Sequence, residues 1–433
     1  MAIELAEVML WGTAIAVVRW DEQSGVADFQ YTPEFQGFGI EVAPVVMPVR
    51  AQAYRFAHLN KETFKGLPGM LADVLPDKFG NALIDQWLIK QGRSPEDFNP
   101  IERLCYTANR AIGALEFRPT QRYFDPDQGA QIEIDKMVRL ASLVLQKRQF
   151  EIDRQDLDGE ALEQILQIGT SAGGARAKAI INWNEQRNII LPGHMQPQDG
   201  FDGWLIKFDG VSENRDKELA DPLGYGRIEY AYYLLAVKAG IEMMESRLLE
   251  EGGRAHFMTK RFDRIGGDKL HMTSLCGLGH FDFNDPAATS YEQAFVLARQ
   301  LQVPREHVAQ LFKRMVFNVV FRNQDDHTKN IAFLMDRSGA WQLSPAFDVA
   351  YSYNPNGLWT SKHQMSINGK RDDFIVSDFL SAAEQTGLPK QRIRKCIDEV
   401  LTVLPLWANC AQAAGVSGEM IEAIGKTFRR FDI

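Results

Sequence analysis

The chain has only four cysteines in 433 residues, Cys105, Cys276, Cys396 and Cys410, and no two are close enough to make a CxxC pair. Neither a disulfide framework nor a thiolate zinc site is expected, and a reducing cytoplasm suits the composition. No apolar run approaches the roughly 20 residues that cross a bilayer. The opening MAIELAEVMLWG places no basic stretch before an apolar one, so neither a membrane partner nor export is expected. Excess positive charge is also missing, since 48 Lys and Arg stand against 57 Asp and Glu for a formal −9. A protein that coats nucleic acid by neutralising phosphates shows the opposite balance, and direct nucleic-acid binding is not expected. Internal repeats and low-complexity tracts are lacking too. What is present is 45% hydrophobic and 24% charged residues, the balance of a chain that folds, over a length that favours two or three packed units.

The opening segment, Glu7 to Trp20, then DEQSG and VADFQYTP, reads as β-rich and simplest as a hairpin. Leu71 to Lys90 is helical in composition, with Pro and Gly punctuation in LPGM and LPDKFG. The first unit is expected to close near residue 120. Helical spacing resumes from about Ile132 to Leu166, with Met137, Leu140, Leu143 and Val144 on one face. From Gly169 to Trp204 the runs AKAIINW, RNIILP and GWLIKFDG alternate with turns, an antiparallel and not a βαβ pattern. A helix is expected over Ile228 to Ala239. Beyond about residue 285 the chain is mostly helical, and Val308, Leu311, Phe312, Met315, Val316, Val319 and Val320 trace one buried face after Pro304. That helix runs directly into NQDDHTKN.

Five stretches bear chemistry. In GTSAGGARAK, Gly169 to Lys178, glycines such as Gly173 and Gly174 let backbone N–H groups approach phosphate oxygens, with Ser171, Arg176 and Lys178 as added donors. An ordinary hairpin turn has the same composition, and neither a Walker A nor a GxGxxG pattern is present. Lys207 in GWLIKFDG is either an exposed strand residue or an inward cation that grips a nucleotide phosphate, and Glu229 is a candidate partner. KRFDR, Lys260 to Arg264, precedes the helical half, where the backbone at Arg261 and Phe262 is placed to read an adenine; a plain surface loop is the alternative. In NQDDHTKN, Asp325 and Asn330 have the five-residue spacing of a phosphoryl-transfer catalytic loop. Asp348, 23 positions after Asp325 in SPAFDVAYS, can return beside Asn330 if IAFLM and WQL form a hairpin around the DRSG turn. Magnesium takes oxygen ligands and completes its shell from substrate phosphates, which Asn330 and Asp348 satisfy. Asp325 is then placed to accept the substrate hydroxyl's hydrogen bond, and Lys329 to stabilise charge on the transferring phosphoryl group. His327 reads as a residue that fixes the loop by hydrogen bonds, and Asp326 as a solvated or loop-capping neighbour. A polar loop capping a buried helix is the alternative for the whole octapeptide.

These residues, taken in order, resemble the HipA family of toxin–antitoxin kinases. The β-rich opening with FQYTPEF and FKGLPGMLADVLPDKFG resembles that family's N-terminal region. GTSAGGARAK, IKFDG, KRFDR, NQDDHTKN and SPAFDVAYS resemble its phosphate loop, nucleotide lysine, hinge, catalytic loop and metal loop. The resemblance implies an α+β, bilobal, protein-kinase-like fold with a β-rich N-terminal region and an all-helical C-terminal lobe. The divisions are 1–125 (N-terminal-like β-rich subdomain), 126–264 (nucleotide-binding lobe with the Gly-rich loop) and 265–433 (helical lobe with catalytic and metal loops). It further implies ATP and Mg2+ as cofactors, Asp325 as base, Asn330 and Asp348 on the metal, and Lys207 on the triphosphate. Ser171, with Thr170 adjacent, takes the place of the autophosphorylated serine, where about −2 of added charge would repel the ATP phosphates. Expected partners are a protein substrate such as an aminoacyl-tRNA synthetase and a HipB-like DNA-binding antitoxin. Arg176-Ala177-Lys178 stands where relatives commonly carry Gln-x-Lys or Arg-Pro-Lys, and Lys260 where they are often acidic.

Three other classes fit parts of the pattern. A catalytically weak regulatory protein would bind ATP and transfer little phosphate; the intact set of Lys207, Asp325, Asn330 and Asp348 argues against it. A small-molecule phosphotransferase also uses an HxDxxxxN spacing, but here Asn323, not a histidine, stands two places before Asp325. A metal-dependent nuclease, suggested by DDH, would need a second acidic cluster and a basic surface.

Overall fold

The computed structural model describes residues 3–108, 110–119, 132–146, 176–193, 195, 199–211, 224–265 and 267–431. Packing divides the chain into two compact units. The first gathers 1–40, 49–226 and 247–272, and the second 41–48, 227–246 and 273–433. Most of the expected 1–125 and 126–264 segments thus pack together, while 227–246 leaves that stretch for the second unit.

The first unit carries two five-stranded sheets. Strands β1 (Leu5–Leu10), β2 (Thr13–Asp21), β3 (Val26–Tyr31), β4 (Tyr54–Arg55) and β5 (Leu115–Arg118) lie in the order β4-β3-β2-β1-β5. The opening is therefore a meander with two turns, where a single hairpin was expected. Leu10 pairs with Thr13 across a two-residue turn in which Trp11 and Gly12 both have positive φ, 49° and 85°. Such a turn matches the right-handed strand twist, and glycine is the residue that adopts it without strain.

The second sheet holds β6 (Lys178–Asn184), β7 (Ile189–Pro192), β8 (Asp202–Lys207), β9 (Ser246–Glu251) and β10 (Arg254–Lys260), in the order β7-β6-β8-β10-β9. The β6–β7, β6–β8 and β8–β10 pairs are antiparallel, as the alternating runs indicate. Ile181, Trp204, Ile206 and Met258 bury one face against Leu83, Ile84 and Trp87 of the Lys78–Lys90 helix and Met137, Val138 and Ala141 of the Ile134–Gln146 helix. Pro76 keeps the preceding chain extended, so the former helix begins only after Asp77, whose Oδ1 accepts from Gly80 N at 2.6 Å and caps it. A short ribbon, β11 (Arg264–Ile265) and β12 (Asp268–Lys269), follows β10.

The second unit is built around the Arg305–Val320 helix. All seven residues of its expected apolar face are buried. Lys313 and Arg314 are buried too, because their cations reach partners: Lys313 Nζ lies 2.7 Å from Glu399, and Arg314 donates to Ser344 O at 2.6 Å. The Tyr291–Gln300 and Lys390–Thr402 helices pack beside it. The unit is helical except for a small sheet, order β13-β14-β15, of β13 (His271–Ser274), β14 (Ala332–Met335) and β15 (Trp341–Leu343). Among the described residues no helix is long and apolar enough to cross a membrane.

Candidate active site

The Arg305–Val320 helix ends in a way that aims the chain. Asn323 N donates to Asn318 O at 3.0 Å around Arg322, which is left-handed at φ 58°. This closes the last turn in the six-to-one manner usually served by glycine. Arginine is held there by its own side chain, which donates to Thr427 O at 2.7 Å and lies 4.4 Å over the Tyr353 ring. The chain then runs through NQDDH, makes a single turn over Thr328–Asn330, and enters β14. The β14–β15 hairpin, closed by Asp336 accepting from Ser338 N at 2.8 Å and Ala340 N at 3.2 Å, brings Ser344 to Asp348 back to the same end.

Asn330 and Asp348 meet there, as the hairpin argument expects. With Asp326, Arg314, Asn318, Asn323 and Tyr291 they line a cavity of about 20 Å³, the space of roughly one water or bare cation. Asn330 Nδ2 donates to Asp325 O at 2.8 Å, which turns its Oδ1, the atom a hard cation takes, away from that contact. Asp348 is left-handed at φ 53°, a conformation that Asp tolerates better than most side chains. Two oxygen-bearing side chains on one small cavity fit magnesium, which completes its shell from phosphate and water. Among the described residues no cluster of three His, Cys, Asp or Glu could form an all-protein metal cage.

Asp325 and Asp326 face opposite environments. The Asp325 side chain is 44% exposed, and His327 Nε2 lies 3.7 Å from its carboxylate. Its backbone is fixed, because Asp325 N donates to Ser352 Oγ at 2.9 Å. Asp326 is fully buried, which corrects the expectation of a solvated neighbour. It accepts from Tyr291 OH at 2.9 Å, from His363 Nδ1 at 2.8 Å and from Gln364 N at 2.8 Å. Burial acts to raise its pKa, and electrostatic attraction to the His363 ring together with these hydrogen bonds outweighs that and holds the carboxyl below its ordinary value. Among the described residues His327 Nδ1 has no hydrogen-bond partner, while Nε2 faces Asp325 of the same loop at 3.7 Å and the ring packs on Phe283 at 5.5 Å. Lys329 Nζ lies 4.8 Å over the same Phe283 ring, a cation–π contact that gives it a defined direction.

Apart from Glu229, which lies in the second unit, the remaining candidates lie in the first unit or outside the described residues. Thr170, Ser171, Gly173 and Gly174 are among the latter. Lys178 opens β6 and Lys207 ends β8, and the two are direct cross-strand partners, so their side chains share a face. Both are buried, Lys178 with Nζ 3.7 Å from Asp77 and Lys207 with Nζ 5.7 Å over Phe257. Like charges opposite each other cost stability, and such a pair invites an anion. Arg176 lies 4.3 Å over Tyr225. Arg261 donates its backbone N–H to Gly203 O at 3.0 Å, and its guanidinium grips Asp263 at 2.9 and 2.7 Å, so that N–H belongs to the sheet. Phe262 follows in the same turn. Glu229 is buried on the Tyr225–Lys238 helix. Sequence reasoning did not find Asp77, Tyr291, Asn318, Ser352, His363 or Arg429; Asn318 lies only 5 residues before the Asn323 it supports, and the others lie tens of residues from a group they support.

These observations define an α+β protein of two compact units, the first rich in antiparallel sheet and the second in helix, with a polar loop ending a buried helix. The chain belongs to the HipA family: residues 6–118 match the HipA N-terminal domain and residues 170–407 the HipA-like C-terminal domain. Its fold is similar to that of Shewanella oneidensis HipA, solved in a complex of HipA, HipB and operator DNA. That match has 16% identity and a TM-score of 0.66, over 97% of this chain and 95% of that one. A Helicobacter pylori proinflammatory kinase, CtkA, matches at 13% identity and a TM-score of 0.34, over 52% of this chain and 88% of that one. A Haemophilus influenzae protein described as a "Putative kinase" is 23% identical over 234 residues, 47% of this chain and 68% of its own length.

Proposed function

We propose that this chain is an ATP- and magnesium-dependent Ser/Thr protein kinase that acts as a HipA-like toxin. The observation that carries the reading is the catalytic-loop geometry: an exposed carboxylate on a fixed backbone at Asp325, beside an Asn330 and an Asp348 that share one cation-sized cavity. Family membership and the kinase description of the H. influenzae relative support it.

In this reading Asp325 accepts the hydrogen bond of a protein hydroxyl and orients it toward the γ-phosphate. Asn330 and Asp348 hold the metal, which when bound supplies charge neutralisation at the phosphates. Lys329 stabilises charge on the transferred group, and His327 lies within the nucleotide's reach. From the first unit, Lys207 and Lys178 serve the triphosphate, Gly173 and Gly174 its backbone cradle, and Arg261 and Phe262 the adenine. Ser171 is the autophosphorylation site. The substrate is a protein of the aminoacyl-tRNA synthetase kind, and the partner a HipB-like DNA-binding antitoxin, as in the Shewanella complex; both belong in the cytoplasm.

Incubating the purified chain with γ-labelled ATP and magnesium tests this. Label is expected on Ser171 and on an added protein substrate, and Asp325→Asn should lower transfer by about 10²–10⁴-fold. Full transfer by Asp325→Asn would overturn the assignment. Label on small acceptors alone would make the chain a small-molecule phosphotransferase, and no label at all a regulatory binding protein.

A further inference from the structure

The stretch from Thr427 to Phe431 begins 97 residues after Asn330 at the end of the Asp325 loop, yet the hydrogen bonds of the second unit connect the two. Arg429 is the link. Its backbone N donates to Val320 O at 3.0 Å and its guanidinium to Val319 O at 3.1 Å, both at the end of the helix that launches the loop. The guanidinium also pairs with Asp372 and sits 2.8 Å from His363 Nε2. Phe428 wedges beside it, 4.9 Å from the Phe321 ring and 5.3 Å from Trp407.

The direction of every bond in this chain is fixed by chemistry. A guanidinium has donors and no acceptor, so His363 Nε2 must accept, its proton must sit on Nδ1, and Nδ1–H must donate to Asp326. Tyr291 OH donates to the same carboxylate and accepts from Asn318 Nδ2 at 3.0 Å. Asn318 Oδ1 accepts from Asn323 Nδ2 at 2.9 Å, Asn323 Oδ1 from Ser352 Oγ at 3.3 Å, and Ser352 Oγ from Asp325 N at 2.9 Å. One end of this network is Arg429 and the other is the backbone of Asp325. With Arg429 removed, the histidine loses the donor that selects its tautomer. The wrong tautomer would aim a lone pair at a fully buried carboxylate, which is costly in a site of low dielectric.

We infer that Arg429 is a positioning residue for the catalytic loop, acting through the His363 tautomer and Asp326 on the backbone of Asp325. This rests on the kinase reading for its consequence in rate, but not for its consequence in loop order, and the two are read separately. Amide exchange over residues 323–330 is compared in the full-length wild type, Arg429→Met and Arg429→Lys, with kcat and KM for ATP measured on the same samples. Exchange is expected about tenfold faster in Arg429→Met, with kcat about tenfold or more lower, KM for ATP within about twofold, and Arg429→Lys intermediate. Free guanidinium ion at millimolar concentration should restore part of the rate to Arg429→Ala, and ammonium at equal ionic strength should not. A merely structural role would lower the folded fraction without a guanidinium-specific rescue, and that result overturns the inference. Unchanged exchange in folded Arg429→Met overturns it as well. A wild type that transfers no phosphate refutes the kinase reading instead, while the exchange comparison still decides whether Arg429 holds the loop.

Discussion

Asp325 and Asp326 are adjacent and chemically identical, and their environments give them opposite sensitivities. Asp326→Ala strands three donors, Tyr291 OH, His363 Nδ1–H and Gln364 N–H, at a buried position. Removing one partner from such a buried charged cluster costs about 3–5 kcal/mol, and urea denaturation of the variant should show a loss of that order. Asp325→Asn removes a carboxylate that is 44% exposed and lies 3.7 Å from His327 Nε2. Its stability should stay within about 0.5 kcal/mol of wild type in the same titration, so its effect falls on activity alone. The spacing of Asp325, Asn330 and Asp348 was legible in the sequence because a loop, a hairpin and a return are local events. The difference between the two aspartates was not. Asp326 is satisfied by Tyr291, 35 residues earlier, and His363, 37 residues later, and a hydrogen bond over that separation leaves no periodicity to read.

Elements whose identity rests on local chemistry were legible, and their attachments were not. The Arg305–Val320 helix announced itself by seven apolar residues at helical spacing, and strands β6 to β8 by alternation between turns. Asp77 shows what such patterns omit. It caps the Lys78–Lys90 helix, and it is also the anion 3.7 Å from the buried Lys178 Nζ. Asp77→Ala should therefore cost more than the ~1 kcal/mol of a lost cap, whereas Asp77→Asn should keep the cap and lose only the ionic part; urea midpoints of the two variants separate these contributions. The turn after β10 makes a pH prediction. Burial would raise the Asp263 pKa, but the Arg261 and Arg264 guanidiniums and Gly113 N–H hold it down at about 2, against an ordinary 3.8. A carboxyl depressed in the folded state contributes stability that is complete above pH ~4 and is lost as the pH falls through 2, here on the order of 2 kcal/mol. The stability difference between wild type and Asp263→Asn, from urea titrations at pH 6, 4 and 3, should shrink at the lowest pH.

The order of segments along the chain does not match their order in space, and this determines how the molecule can be divided. The chain passes between the two units five times, because 41–48 and 227–246 belong to the second unit and 247–272 to the first. Composition gave no sign of this, since each transferred segment is too short to alter the pattern around it. Its consequence is clearest for the Tyr225–Lys238 helix. Tyr232 OH donates to Phe321 O at 2.5 Å, at the helix end that launches the Asp325 loop, and its ring meets Phe317 and Trp407 at 6.3 and 5.5 Å. Further on, Gln310 Nε2 donates to Gly240 O at 2.9 Å, and Ala346 N donates to Glu242 O at 2.7 Å. A fragment cut at 265–433, where the sequence divides most naturally, would lack all of these partners and leave a phenylalanine-lined face of the central helix open to water. Several buried aromatic contacts and backbone hydrogen bonds of about 1 kcal/mol each sum to a large part of the 5–15 kcal/mol that keeps a domain folded. Thermal melting followed by circular dichroism should show no cooperative transition for 265–433, and a cooperative one of lower midpoint than the full chain for 225–433. A cooperative melt of 265–433 at the full-length midpoint would mean that Tyr232 and its neighbours add little to the packing around the Asp325 loop.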